Sequence, residues 1–400
     1  MLRALGSRNY RRYFAGQLVS LAGTWMQQIA MTWLAYRLTG SALILGTVGF
    51  ASQLPVLIFG SLGGVWSDRF DKRRLLLWTQ SLAMGQAILL ALLTWNEMVS
   101  PPLLVLLAFV LGCVNALDIP ARQAFVVQLV DDREHLPNAI ALNSFLMNSA
   151  RFVGPALAGF IVATVGEAVC FLLNALSYLA VLVALLGIDT PPKTGEPSPA
   201  LQALKDGYAY VFGHRDIRGF LLVVASVSFL VTPYAVMMPL FSSVIFRGDA
   251  RTYGLLIGSA GAGSLLAGLY LASRKDTVAL AQRTGLAVIA AGAALALFAV
   301  NRALVLAFPI VMALGFFVLL AVAGSNTLIQ IRVDDAYRGR VMAIFSMAFL
   351  GIAPLGSFAV GSLAHVVGVP PTLLGCGLAT VVIGLAVRRH TAPPPPAPPA

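Results

Sequence analysis

Long apolar runs alternate with short polar segments along this chain. Such a run needs ~20 residues to cross a ~30 Å hydrocarbon core as an α-helix, and the runs lack the period-two alternation of membrane β-barrel strands. The pattern predicts an all-α membrane protein with twelve transmembrane helices. The predicted spans are 13–36, 42–66, 75–95, 102–126, 138–163, 167–187, 217–244, 253–273, 284–300, 303–328, 341–364 and 370–388.

The longest hydrophilic stretch separates the first six runs from the last six. It begins DTPPKTGEPSP at Asp189 and then turns amphipathic, which is typical of a linker followed by a surface helix. The chain ends in APPPPAPPA, which predicts a disordered tail. The expected domains are an N-terminal six-helix bundle at 1–187, a cytoplasmic linker with a short amphipathic helix at 188–216, a C-terminal six-helix bundle at 217–388 and a Pro-rich tail at 389–400.

An internal repeat supports the division into two halves. Shifting the sequence by 202 residues places matching residues of the fifth and eleventh runs opposite each other without a gap. The matched pairs are Gln128 with Gln330, Asp132 with Asp334, Ser144 with Ser346, Gly154 with Gly356, Gly159 with Gly361 and Gly166 with Gly368. We therefore expect two pseudo-symmetric bundles.

Composition and charge agree with a chain embedded in lipid. Hydrophobic residues make up 58% of the chain and the mean hydropathy is +0.85, against roughly 45–50% apolar residues in soluble domains. The net charge of +11 lies in short clusters between apolar runs, without the groove pattern of a nucleic-acid-binding protein. With the N-terminus inside, 22 of 27 Lys and Arg fall on the cytoplasmic side, which predicts that both termini are cytoplasmic.

Cysteine and histidine offer no metal or redox chemistry. The three cysteines lie singly inside apolar runs and the four histidines are scattered, so neither a disulfide framework nor a metal site is expected. The sequence also has no Walker lysine motif and no Ser-His-Asp arrangement. The glycine-rich GSAGAGSLLAG, at residues 258–268, lies within a span and predicts a helix-packing face. We expect no enzyme activity and no cofactor.

The most highly charged stretch carries a family resemblance. GGVWSDRFDKRRLL, from Gly63 to Leu76, resembles the G-x-x-x-D-R-x-x-R-R signature of the major facilitator superfamily. FAGQLVSLAGTWMQQIAMTWLAYRLTGSA and ALDIPARQAF are similar to the bacterial branch that contains the enterobactin exporter and multidrug or macrolide efflux proteins. The resemblance implies a monomeric transporter of the bacterial cytoplasmic (inner) membrane, whose bundles rock about a central site for a small molecule.

The same resemblance assigns residues to gating. It implies close helix packing at Gly64 and a latch at Asp68 against the N-terminal dipole of the eleventh helix. Its charge network would contain Arg69, Arg73 and Arg74. Alternatively, the basic residues of this turn hold the loop inside and contact anionic lipid. Asp71 departs from the glycine that many members have here.

A second gating element lies in the fifth helix. SARFVGPALAG resembles the G-P-x-x-G-G element of antiporters and places Gly154 and Pro155 at a tight, bendable helix contact. Generic packing of small residues explains the same spacing.

Three ionisable residues inside spans are candidates for proton coupling. Asp118 and Arg122 are four residues apart in the fourth helix, and Arg151 lies in the fifth. Such residues cost roughly 2.5–3.5 kcal/mol each on insertion scales, so they face a cavity or a partner. Asp118 could bind and release a proton as it moves relative to either arginine. It could equally form a permanent ion pair with Arg122 or Arg151, and Arg122 could complete the Asp68 latch.

Substrate contacts follow from the helices that line the cavity in the family. The first helix presents Trp25, Gln28, Thr32 and Tyr36 along one face, which suits a large amphiphilic ligand. Interface anchoring or packing explains Trp25 and Tyr36 as well. Tyr234 in the seventh helix and Asn326 in the tenth are further candidates.

These patterns together predict a secondary active transporter. We expect proton-coupled export, by antiport, of a drug-like compound or siderophore, with membrane lipids as the surroundings and no nucleic-acid partner. The alternatives are a proton-coupled importer of an organic solute and a non-transporting receptor or scaffold on the same fold.

Overall fold

The computed structural model describes residues 3–130, 133–188, 200–273, 277–334 and 337–391. Within these ranges it does not describe the side chains of 61–69, 133, 137, 200–205, 277–278 and 388–391. The described segments are helical and contain no β-strand. This confirms the all-α prediction.

Thirteen helices account for most of the described chain, in the order in which the apolar runs occur. The first six are α1 (Arg8–Thr39), α2 (Ala42–Arg69), α3 (Lys72–Trp95), α4 (Pro101–Gln128), α5 (Leu136–Val165) and α6 (Glu167–Leu186). They are followed by α7 (Ala200–Gly213), α8 (Arg215–Ile245), α9 (Ala250–Ala272), α10 (Thr277–Val300), α11 (Leu304–Arg332), α12 (Arg338–Val367) and α13 (Val369–Thr391). Five-residue π-helical segments interrupt α8 at Val227–Val231 and Phe241–Ile245 and α12 at Met347–Gly351.

In the described part of the chain, eleven helices are long and apolar enough to cross a membrane. They are α2 to α6 and α8 to α13, and they make this a multi-pass membrane protein. The remaining long helix, α1, has 32 residues. Its apolar character is diluted by arginines at both ends and by Gln17, Gln27 and Gln28 along its length.

Several helices extend beyond the apolar runs that predicted them. The first was expected at 13 and begins at Arg8, while α10 begins at Thr277 and not at 284. Hydropathy marks the hydrocarbon core only, whereas backbone hydrogen bonds continue the helix into the polar headgroup region. The last helix runs to Thr391, so the predicted tail boundary at 388 is too early; residues 392–400 lie outside the described ranges.

The packing of the first six helices is repeated in the last six. In the first set, α2 packs on α4, α3 on α6, and α1 on α5 and α6. In the second set, α9 packs on α11, α10 on α13, and α8 on α12 and α13. The repeat extends to backbone conformation: Gly166 (φ 88°) after α5 and Gly368 (φ 93°) after α12 both adopt the left-handed region that favours glycine.

The helix between the two sets is attached to the second one. Asp206 of α7 pairs with Arg340 of α12 at 3.4 Å, and the Tyr210 hydroxyl donates to Asp334 at 3.0 Å. Gly207 also faces the Arg340 side chain. The linker therefore contains the expected short helix, and that helix contacts the start of α12.

Candidate transport site

The first and last six helices meet at two crossings where glycines replace side chains. A Cβ added to Gly46 of α2 would lie 3.0 Å from the Gly361 Cα of α12. A Cβ added to Gly254 of α9 would lie 2.7 Å from the Gly159 Cα of α5. The backbones are therefore in direct contact, as in other small-residue crossings. The 202-residue shift relates Gly159 to Gly361, and Gly46 and Gly254 each lie four residues after the first residue of their helices, α2 and α9.

Both crossings lie toward the same side of the molecule. Gly46 and Gly361 are close to the α1–α2 and α12–α13 connections, and Gly159 and Gly254 are close to the α5–α6 and α8–α9 connections. All four connections carry the smaller share of Lys and Arg. On this side Phe50 of α2 also contacts Phe358 of α12, with ring centroids 5.4 Å apart.

Aromatic rings close the same side between α1 and α9. Trp33 stacks on Tyr253 with centroids 6.0 Å apart and an interplanar angle of 19°, and Thr32 hydrogen-bonds Tyr253. Tyr36 packs on Trp33 at 5.4 Å. Thr32 and Tyr36, which were predicted to bind substrate, are thus part of the contact that closes this side.

Farther along the same faces, polar side chains are exposed. Gln28 continues the α1 stripe that touches α9, and Arg151 lies near the middle of α5; both are exposed. Val153, Leu157 and Phe160 form the exposed apolar face of α5, and helical periodicity puts Arg151 opposite that face. We call the space in front of Gln28 and Arg151 the central cleft.

A second polar site is buried inside the first six helices. Asp118 is 2% exposed, and its Oδ2 pairs with Arg122 Nη2 at 2.8 Å. Its Oδ1 accepts hydrogen bonds from Thr79 Oγ1 at 2.8 Å and from Gln80 Nε2 at 2.7 Å, both on α3. Three donors thus surround the carboxylate, which offsets the cost of burying its charge.

Two polar atoms beside this ion pair lack a partner. The Tyr13 hydroxyl and the Gln80 Oε1 are buried, and no described group hydrogen-bonds them. An unsatisfied buried polar atom costs ~1–3 kcal/mol and is uncommon enough to ask for an explanation. They place a donor and an acceptor without described partners beside the Asp118–Arg122 pair.

Arg151 does not join the Asp118–Arg122 pair. Its guanidinium carbon lies 5.3 Å from the centroid of the Trp25 ring, and its charge acts on Tyr234 of α8. Of the predicted coupling residues, the structure brings together two. Arg151 instead contacts Trp25, which was predicted as a substrate contact.

The remaining substrate candidate lies on α11. The Asn326 Oδ1 accepts a hydrogen bond from Gln330 Nε2, one helical turn along. Asn326 is half-buried and Gln330 is exposed. Asn326 and Gln330 thus form a hydrogen-bonded amide pair on α11.

The predicted gating residues have different surroundings. The side chains of Gly64, Asp68 and Arg69 lie outside the described ones. Arg73 donates to Leu185 O at 2.7 Å and Leu186 O at 2.9 Å, so it caps the C-terminus of α6 inside the first half.

The structure also shows the surroundings of Asp71 and Arg74 in this turn. Asp71, which stands where many family members have glycine, caps the N-terminus of α3. Its carboxylate accepts a hydrogen bond from the Arg74 backbone N–H at 2.7 Å. The Arg74 residue itself is exposed.

The fifth-helix element makes close contacts on two sides. A Cβ on Gly154 would lie 2.6 Å from Trp25 Cβ on α1, and the Pro155 carbonyl lies 2.4 Å from a Cβ built on Gly254 of α9. The predicted packing face of α9 is confirmed as well, because Gly261 faces α5 and Gly263 faces α11.

Sequence reasoning missed a network of buried amides. Gln27 Nε2 donates to Gln86 Oε1 at 2.8 Å, and Asn174 Nδ2 donates to Gln27 Oε1 at 2.7 Å. This network ties α1, α3 and α6 together. The sequence does contain a signal for this network, because amide side chains are rare and costly in apolar spans unless they pair across helices.

The part of the chain that the structure describes contains no candidate metal site. Within those ranges no three His, Cys, Asp or Glu side chains cluster closely enough to hold an ion.

These helices, packed as two repeated sets that meet at glycine crossings, belong to a transporter of the major facilitator superfamily. The chain belongs to the family described as transmembrane secretion effector, whose model matches residues 2–397. This membership makes the protein a transporter and not an enzyme.

Similar proteins agree with that class. The chain is 27% identical to a staphyloferrin A transporter of Staphylococcus aureus, covering 93% of each chain. It is 26% identical to the multidrug efflux pump Tap of Mycobacterium tuberculosis, covering 93% of this chain and 91% of that protein. Its fold matches a bacterial homologue of the lysosomal transporter Spinster with a TM-score of 0.76 at 13% identity, covering 96% and 97% of the two chains.

Proposed function

We propose that this protein is a proton-coupled exporter of an organic compound, working by alternating access in the bacterial cytoplasmic membrane. In this proposal α1 is a twelfth transmembrane helix, α1–α6 and α8–α13 form two bundles, and both termini are cytoplasmic. Export is favoured because curated relatives include a multidrug efflux pump and a siderophore transporter.

The observation that carries the proposal is the pair of glycine crossings on one side of the molecule. The Gly46–Gly361 and Gly159–Gly254 crossings join the bundles on the predicted external side, while Gln28 and Arg151 remain exposed beyond them. This arrangement corresponds to a state in which the cleft opens to the cytoplasm. Two crossings related by the repeat provide an axis about which the bundles can rock.

The buried ion pair supports proton coupling. Asp118 is held by Arg122, Thr79 and Gln80, on helices that belong to one bundle. A change in the α3–α4 contact would remove donors from the carboxylate and so favour its protonated form. Proton binding would then be linked to helix movement.

A flux experiment tests this function. Growth of a deletion strain across an antibiotic panel, complemented by the wild-type gene, identifies an exported compound. Inside-out vesicles energised to be acid inside are then given that compound, with acridine orange reporting the pH gradient. We expect gradient-dependent accumulation together with partial collapse of the gradient.

Other outcomes separate the alternatives. Accumulation that ignores the pH gradient would remove proton coupling, and uptake driven only by the opposite gradient would indicate an importer. A protein that binds the compound but moves none of it would be a receptor.

A further inference from the structure

We propose that the central cleft binds an organic anion, a carboxylate on an aromatic or apolar body, with Arg151 as the group that recognises the carboxylate and Trp25 as the adjacent apolar surface. The inference rests on the proposed transport function and adds the substrate class. It distinguishes this protein from pumps that select cations.

Arg151 is placed where an alternating-access transporter binds its substrate. It lies near the middle of the 30-residue helix α5, which is about 20 Å from either end at 1.5 Å per residue. It is exposed, and it faces away from the apolar face formed by Val153, Leu157 and Phe160. Its exposure is therefore toward the cleft.

Arg151 also has no carboxylate partner among the described side chains. The acids described within the two sets of six helices pair with other arginines: Asp118 with Arg122, Glu167 with Arg37 and Asp216 with Arg332. An unpaired cation in a span is a functional-site candidate. The Trp25 ring contacts the face of the guanidinium, so the N–H groups at its edge are available for a ligand.

The chemistry of the site favours an anion over a cation. A guanidinium presents two parallel N–H groups that match a carboxylate, and the exposed Gln28 amide offers a further donor. Trp25 supplies ring surface beside the charge. The acids described within the membrane helices, Asp118, Glu167 and Asp216, are paired with other arginines, and the Arg151 charge would repel a cationic drug.

The test compares two probes that differ in the sign of their charge. Purified full-length protein in detergent is titrated with 2-naphthoate and with 2-naphthylmethylammonium, and binding is followed by calorimetry. We expect 2-naphthoate to bind at least tenfold more tightly. Arg151→Gln should weaken 2-naphthoate binding about tenfold or more. It should not weaken binding of the cation, from which it removes a repulsive charge, and Arg151→Lys should restore part of the affinity for 2-naphthoate.

Arg283→Gln is the matched control. Arg283 also lies over an aromatic ring, Tyr270, at 5.9 Å, but on α10 and α9 away from the cleft, so its loss should leave both affinities unchanged. Equal binding of the two probes, or naphthoate binding that survives Arg151→Gln in a folded protein, would overturn the inference. Binding of the anion without gradient-driven flux would contradict the proposed transport function but not the anion-binding site.

Discussion

Asp118→Ala should destabilise the protein by about 3–5 kcal/mol, because it leaves the Arg122 charge buried without its partner. The same change removes the acceptor of the Thr79 and Gln80 hydrogen bonds. Unfolding in mixed micelles, with the wild type measured in parallel, gives the difference in free energy. An unchanged free energy of unfolding would show that the pair is solvated and not the buried cluster described above.

Two further variants separate stability from proton coupling. Asp118→Asn keeps the shape of the side chain and should abolish gradient-driven transport while retaining substrate binding. Combining Asp118→Leu with Arg122→Met replaces the pair by apolar groups, which often restores stability. Restored stability without restored transport is the expected result. If the double variant transports normally, the ion pair has a structural role only.

Gly254→Ala should open the external side of the molecule. The added Cβ would lie 2.4 Å from the Pro155 carbonyl oxygen and 2.7 Å from Gly159 Cα, and backbone atoms at a crossing cannot move aside as a flexible side chain can. Overpacking of this kind costs about 1–3 kcal/mol. That penalty applies to the closed external side and not to a state in which α5 and α9 have separated, so the equilibrium should shift outward.

Cysteine accessibility measures this shift. Ala250→Cys, in a background with Cys113, Cys170 and Cys376 changed to Ser, places a thiol at the buried external end of α9. A membrane-impermeant maleimide should label it roughly tenfold faster in Gly254→Ala, since tenfold corresponds to about 1.4 kcal/mol.

Gly258→Ala is a control on the same helix, and Gly361→Ala tests the other crossing. Gly258, one turn along α9, has its nearest atoms at 3.4 and 3.5 Å from an added Cβ, so Gly258→Ala should leave labelling unchanged. Gly361→Ala, at the related crossing, should act like Gly254→Ala. Equal labelling rates in all three variants would contradict a role for the crossings in closing this side.

Most of the fold could be predicted from the sequence because lipid imposes a simple rule. Every backbone polar group in a span must be satisfied by its own helix, so the apolar runs locate α2 to α6 and α8 to α13. Gly166 and Gly368, which the sequence repeat pairs, likewise share the same backbone conformation. Helix ends were less predictable, as at Arg8, because they lie in the headgroup region.

The candidate site could be predicted only in part. Asp118 and Arg122 are four residues apart on one helix, so local geometry was enough to pair them. Arg151 was grouped with them because all three are ionisable residues inside spans, yet the side chain that it contacts, Trp25, comes from α1. Contacts between distant helices depend on rotation about each helix axis, which hydropathy alone does not give.

The central claim is that two bundles alternate in exposing the cleft. Pulsed EPR distances test it with one spin-label pair at Ser41 and Val366, near the proposed external ends of α2 and α12. A second pair is placed at Phe70, directly after α2, and at Gly339, in the first turn of α12. When Gly254→Ala is introduced, the external distance should lengthen while the cytoplasmic distance shortens. Two distances that stay fixed, or that change in the same direction, would contradict alternating access.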